Sequence, residues 1–382
     1  MSQCIGQCQW ESNNLNSTMA NSQADFTMNL LRINGINSST ILSPISIFIA
    51  LAMAYLGAKE NTAAEIRNTI AKGIFEEEIH PYFSSFLNYS KSYENIRLKS
   101  VNRIYFQNNL KIQQRYFDEM KKYYNNEFEQ IDFRQPSDAA KKINKFVAKS
   151  TNDRFLNFMS PSAINSNTSM ISINAIYFKA DWENIFWATF EADFYSSPKK
   201  ITKVQMMSQD TRLYLEYFET DEYEIIGLPY KEREATMYII LPKERFGLQK
   251  VMNGMDLSEL QKSLAAQQHW TNVNVKLPQF QIKSSFNLVK TLQTLGIKDA
   301  FNENANFSGI SKEEKIKLSN IVHKTFIKID ENGCEAAAFT GVLFHWTSGI
   351  HPPPKSFTVD HPFLFIIADK KFNFLFAGTF FG

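Results

Sequence analysis

The chain reads as an α+β fold, and three observations predict it. Helical patterns crowd residues 24–71 and 138–152, strand-length apolar runs fill residues 170–378, and no linker divides the 382 residues. The 12 prolines and 14 glycines are scattered, and 44% hydrophobic content with 33 Phe implies a large, well-filled core. No internal repeat is present.

The first 18 residues, MSQCIGQCQWESNNLNST, lack the basic start and apolar core of a signal peptide. They are expected to form a disordered extension, with Met19 a second start and residues 19–382 a single domain. Ala24–Leu31 begins an amphipathic helix. Ile45–Gly57 forms the next, with Pro44 near its start, where proline is tolerated. The apolar run Ile41–Ala58 is broken by Pro44 and two serines, so it reads as a buried helix and not a membrane span. Asn61-Thr62 can cap a third helix running to about Ala71. In residues 138–152, Ala139, Ile143, Phe146, Val147 and Ser150 share a stripe with lysines elsewhere, which places this helix on the surface, over a sheet.

Strands are expected at Met170–Phe178, Glu224–Leu228, Ala235–Leu241, Asn272–Gln281, Ile321–Ile329, Pro362–Ala368 and Phe372–Gly378. In the fifth, one face reads Ile321, His323, Thr325, Ile327, Ile329. His323 therefore shares an apolar face and needs hydrogen-bond partners, for which Ser43, Ser46 and Asn174 are candidates.

Several function classes fall away. The formal charge of +2 argues against broad attraction to nucleic acid or membrane. No two glycines stand two or five apart, which removes a dinucleotide loop and a phosphate-binding loop. The one pair four apart, Gly378 and Gly382, has Phe380 between, so no nucleophile elbow exists. None of the six histidines has zinc-site spacing, and neither a metal nor a cofactor is expected. Cys4, Cys8 and Cys334 make no disulfide framework and point to a reducing compartment or a chain that needs no bridges. A cytoplasmic location follows from the missing signal peptide, with leaderless secretion the alternative. The sequons at Asn16, Asn37, Asn88, Asn167 and Asn306 carry little weight in so Asn-rich a chain.

The most informative stretch is Glu331-Asn332-Gly333-Cys334-Glu335-Ala336-Ala337-Ala338-Phe339-Thr340-Gly341. Read as a strand, its even face (Cys334, Ala336, Ala338, Thr340) is small and uncharged and could slide onto a packed core. Its odd face carries Glu335 and His345 and tolerates water. Three successive alanines disfavour a permanent strand, and Gly333 and Gly341 give flexible joints. Such a segment can join a sheet without being obliged to. The bland alternative is an Ala-rich surface loop.

This hinge resembles that of the serpin reactive loop. The resemblance extends through blocks in the family's order: residues 40–66, SINAIYFKADWENIF (172–186), VNVKLPQFQI (273–282), residues 295–311, LSNIVHKTFIKIDENGCEAAA (318–338) and DHPFLFII (360–367). It implies three β-sheets, about eight to nine helices and an exposed reactive loop over about 331–357. It implies an inhibitor, not an enzyme: a target serine protease cleaves the loop, is held as a covalent acyl-enzyme, and the loop inserts into the main sheet. Ser43, Ser46, Asn174 and His323 match the polar cluster beneath that sheet, and Trp182 the aromatic where insertion begins.

The family's usual count, seventeen residues from Glu331, places the scissile bond at Thr347–Ser348; Trp346–Thr347 is the rival. No Lys or Arg lies between Gly341 and Pro354, which favours chymotrypsin-, cathepsin G- or elastase-like targets over trypsin-like ones. Cys334 stands where the family usually has Thr, Ser or Ala, and Phe339 is large where the family usually has a small residue. Glu76-Glu77-Glu78-Ile79 stands where heparin-binding members carry a basic helix, so no heparin partner is expected. The protein is expected to be a monomer. Two other readings compete: a non-inhibitory serpin with a binding or chaperone role, and a cross-class inhibitor of papain-like cysteine proteases.

Overall fold

The computed structural model describes residues 2–35, 37–257, 270–333 and 353–382, with side chains from Thr18 onward and without those of residues 210–212. Its helices are α1 (Ser2–Asn34), α2 (Pro44–Tyr55), α3 (Glu60–Ile70), α4 (Glu76–Tyr89), α5 (Gln114–Tyr124), α6 (Pro136–Ser150), α7 (Leu248–Gly254) and α8 (Val289–Thr294). Its strands begin with β1 (Thr40–Leu42), β2 (Ile96–Gln107), β3 (Phe128–Ile131), β4 (Met170–Ala180), β5 (Ala188–Ser197), β6 (Lys200–Glu219) and β7 (Tyr223–Pro229). They continue with β8 (Ala235–Pro242), β9 (Trp270–Pro278), β10 (Phe280–Asn287), β11 (Leu318–Ile329), β12 (Lys355–Thr358), β13 (Phe363–Asp369) and β14 (Phe374–Phe380).

One ladder has five strands in the order β10-β11-β4-β2-β3. The other has nine, in the order β1-β14-β13-β8-β7-β6-β9-β12, with β5 also on β6. Register between β6 and β9 shifts between Gln209 and Leu213. Before the shift β6 lies between β5 and β9, and after it between β9 and β7. Among the described residues, this change of neighbour divides the larger ladder into two parts that share β6.

Helix α2 is buried along its whole length and packs against β14, β2 and β4, with Pro44 in its first turn. An all-round apolar helix belongs inside a large core, which is where Ile41–Ala58 was expected. Helix α6 covers the opposite face of the five-stranded sheet. Its Ala139, Ala140, Ile143 and Val147 pack on Val101 and Tyr105 of β2 and on Ile171 and Ile173 of β4. Phe146, at the stripe's edge, is capped by the Arg103 guanidinium 3.6 Å from its centroid.

Four expectations shift. The backbone is helical from Ser2, within the segment read as an extension. The expected strand Asn272–Gln281 is two strands in different sheets: Pro278, which cannot donate to a ladder, ends β9, and β10 begins at Phe280. Helix α3 begins at Glu60, not after a cap at Asn61-Thr62. Asn61 donates to Asp299 at 2.6 Å, and the Thr62 hydroxyl accepts the Asn306 N–H at 3.0 Å, so both tie the helix to the loop before β11. Finally, β14 starts at Phe374, because Phe372 takes a left-handed turn (φ 58°).

Candidate functional site

Strands β4 and β11 are parallel neighbours, paired from Met170 opposite Leu318 to Tyr177 opposite Phe326. Beyond that pair the registered ladder ends, leaving Phe178–Ala180 and Ile327–Ile329 past the seam's last rung. Beneath the seam lies a buried polar cluster; at its head lies the start of the hinge.

The cluster is built by alternation. Ile321, His323, Thr325, Ile327 and Ile329 are all buried on one face of β11. His323 is fully buried among α2, β4 and β11. Its Nε2 accepts the backbone N–H of Ser43 at 3.1 Å. An acceptor nitrogen carries no proton, so the proton sits on Nδ1, which is bonded to Asn174 Oδ1. Burial lowers its pKa to about 3, and the ring is neutral. The Asn174 amide donates to the Ser46 carbonyl at 2.8 Å, and also to Ser46 Oγ and Asn102 Oδ1. Thr325 ties the same face to the Ile41 carbonyl at 2.8 Å. The four residues expected here, Ser43, Ser46, Asn174 and His323, thus come together, Ser43 through its backbone and with its hydroxyl unpartnered.

Sequence reasoning missed two members. Asn102 accepts from Ser46 at 3.2 Å and donates to Ser100 at 2.9 Å. The signal was available: Ser100 and Asn102 interrupt a face of β2 otherwise made of Ile96, Leu98, Ile104 and Phe106.

At the head, Trp182 is buried and stacked on Tyr230, with centroids 4.4 Å apart and planes 8° apart. Its indole N–H donates to the Asp330 carbonyl at 2.9 Å, and its backbone N–H to the Asn332 carbonyl at 2.9 Å. Glu331 accepts from Phe186 N–H at 3.0 Å through its carbonyl and from Gln279 at 2.7 Å through its carboxylate. Gly333 has φ +130°, and a Cβ there would lie 2.3 Å from the Ala180 carbonyl oxygen, so only glycine fits. Gly333 forms antiparallel bridges with both Asp330 and Asp181. Cys334, Glu335, Ala336, Ala337, Ala338, Phe339 and Thr340, and the candidate bonds at Trp346, Thr347 and Ser348, lie outside the described residues.

A family model described as serpin (serine protease inhibitor) matches residues 21–382. The chain belongs to the serpin family. It is 35% identical to human Serpin B3 over 363 residues, covering 88% of this chain and 92% of that one. It is also 35% identical to mouse leukocyte elastase inhibitor A over 347 residues, covering 88% and 91%. Among solved structures, Serpin48, titled a highly specific serpin in the insect Tenebrio molitor, superposes with a TM-score of 0.83 at 31% identity, over 98% of each chain. These relatives bear the names of inhibitors, not of enzymes. No helix among the described residues is long and apolar enough to cross a membrane.

Proposed function

We propose that this serpin inhibits serine endopeptidases as a suicide substrate. The protease cleaves the loop after Gly333, is held as an acyl-enzyme, and the freed segment enters the sheet between β4 and β11. One observation carries the reading. Gly333 sits where a strand descending between β4 and β11 would begin, bridged antiparallel to the residues that follow both strands. Because β4 and β11 are parallel, one new strand can run antiparallel to both. The chain leaving β11 reverses at Asp330–Gly333, where the two residues exchange backbone hydrogen bonds of 2.9 and 3.1 Å. An inserted strand of about fifteen residues would span roughly 50 Å. It would gain two ladders of hydrogen bonds, each netting about 0.5–1.5 kcal/mol, and its small even face would meet the core side.

Target class rests on the loop's composition. With no Lys or Arg between Gly341 and Pro354, the bait suits apolar or aromatic pockets. A relative named for leukocyte elastase inhibition supports that choice. We place the scissile bond at Thr347–Ser348, with Trp346–Thr347 the rival. Incubation with chymotrypsin, cathepsin G, elastase, trypsin and cathepsin L, followed by denaturing electrophoresis and mass spectrometry, tests both points. A denaturant-stable complex with one of the first three is expected, with a released peptide beginning at Ser348. A complex with cathepsin L alone would select the cross-class reading. Clean cleavage by every protease with no complex would select a non-inhibitory binding role.

A further inference from the structure

Above the C-terminal end of α6, on the outer face of the five-stranded sheet, lies a cleft of about 810 Å³. Lys91, Arg97, Lys99, Arg154 and Lys179 line it against one carboxylate, Asp153. They come from four places: the turn Ser90–Ser92 after α4, the start of β2, the loop after α6 and the end of β4. Arg97 and Lys179 are direct cross-strand partners in the β2–β4 pair, and Lys99 stands opposite Tyr177 on the same face. Like charges directly opposite in an antiparallel pair repel. None of Lys91, Arg97, Lys99 and Lys179 has an ion-pair partner among the described residues. The Arg154 guanidinium is fixed over the Tyr177 ring at 5.2 Å and the Phe326 ring at 5.6 Å, so one wall is ordered.

We propose that this cleft binds a compact phosphate anion carrying several charges, of the size and chemistry of a short inorganic polyphosphate or an inositol polyphosphate. Repulsion between Arg97 and Lys179 costs the empty protein stability, and a multivalent anion between them turns that cost into attraction. The Arg97 guanidinium fork and the ammonium groups of Lys91, Lys99 and Lys179 match clustered phosphate oxygens. The cations converge on one cleft and do not run along a stripe, and the whole chain carries only +2. A small, dense anion therefore fits better than a nucleic acid or a long polysaccharide. This inference stands apart from the inhibitory reading, since it depends on neither the loop nor a protease.

The test is isothermal titration calorimetry with tripolyphosphate, inositol hexakisphosphate and orthophosphate at physiological salt, with thermal melts alongside. Saturable binding of at least one of the first two is expected, and far weaker binding of orthophosphate. The double variant R97Q/K179Q should weaken binding about tenfold or more, while K290Q, on the distant helix α8, should leave it unchanged. Without ligand, R97Q/K179Q should melt at or above the parent temperature, which separates loss of the site from loss of the fold. Preference for the linear chain would name inorganic polyphosphate as the source, and preference for the ring an inositol phosphate. Absence of saturable binding of both, or equal affinity in R97Q/K179Q, would overturn the proposal.

Discussion

His323 is the residue on which the buried cluster turns. Its neutral ring accepts at Nε2 and donates from Nδ1, so a second proton would displace the Ser43 N–H. In the unfolded chain a histidine titrates near 6.5, whereas here the pKa is about 3. Below about pH 6.5 the unfolded chain takes up a proton that the native ring refuses. Stability is therefore complete above that pH and declines as pH falls toward 3, by about 1.4 kcal/mol per pH unit. His80, held at about 4 by burial against Tyr124, acts in the same direction. Nitrogen-detected NMR should find His323 neutral and protonated on Nδ1 at pH 5; an imidazolium signal there would refute the assignment. Asn102→Ala would strip a partner from both Asn174 and Ser46, at a cost of about 1–3 kcal/mol. A lowered melting temperature is expected, and an unchanged one would deny Asn102 its place. Ser43, Ser46, Asn174 and His323 were legible because each is polar within an apolar run or block. Asn102 carried the same signal, breaking with Ser100 a face otherwise made of Ile96, Leu98, Ile104 and Phe106, but residues 96–107 were not among the expected strands and so it was missed.

Among elements, the seam between β4 and β11 decides what the fold can do. Both strands were recognised from their apolar runs, but their adjacency was not, since parallel pairing joins segments that lie far apart in sequence. The single strand expected over Asn272–Gln281 failed for a local reason: Pro278 both continues the apolar pattern and ends the ladder. Helix α6 was placed over a sheet by its stripe, and its contacts with β2 and β4 bear that out. The hinge's parity can be tested by itself. Ala336→Arg would set a charge on the face that must be buried, where an unpaired cation is costly. Cleavage should persist while the yield of trapped complex falls by about tenfold or more. Undiminished trapping would refute the assignment of faces.

At the scale of the whole molecule, the structure has two parallel strands in contact and a hinge bridged at their head. If inhibition works as proposed, this arrangement is held by a kinetic barrier and not by equilibrium. Fold class and the cluster beneath the sheet could be read from the chain because local pattern and family blocks agree. The charged cleft could not, because its cations are scattered from Lys91 to Lys179 and only the register of β2 with β4 gathers them. The most direct measurement is hydrogen exchange on intact protein and on protein cleaved within residues 341–349. After cleavage, the amides of Cys334–Thr340 and the head of the seam at Phe178–Ala180 and Ile327–Ile329 should become strongly protected. Exchange that stays the same in those segments would mean that the loop does not enter the sheet, and would contradict the mechanism proposed for this serpin.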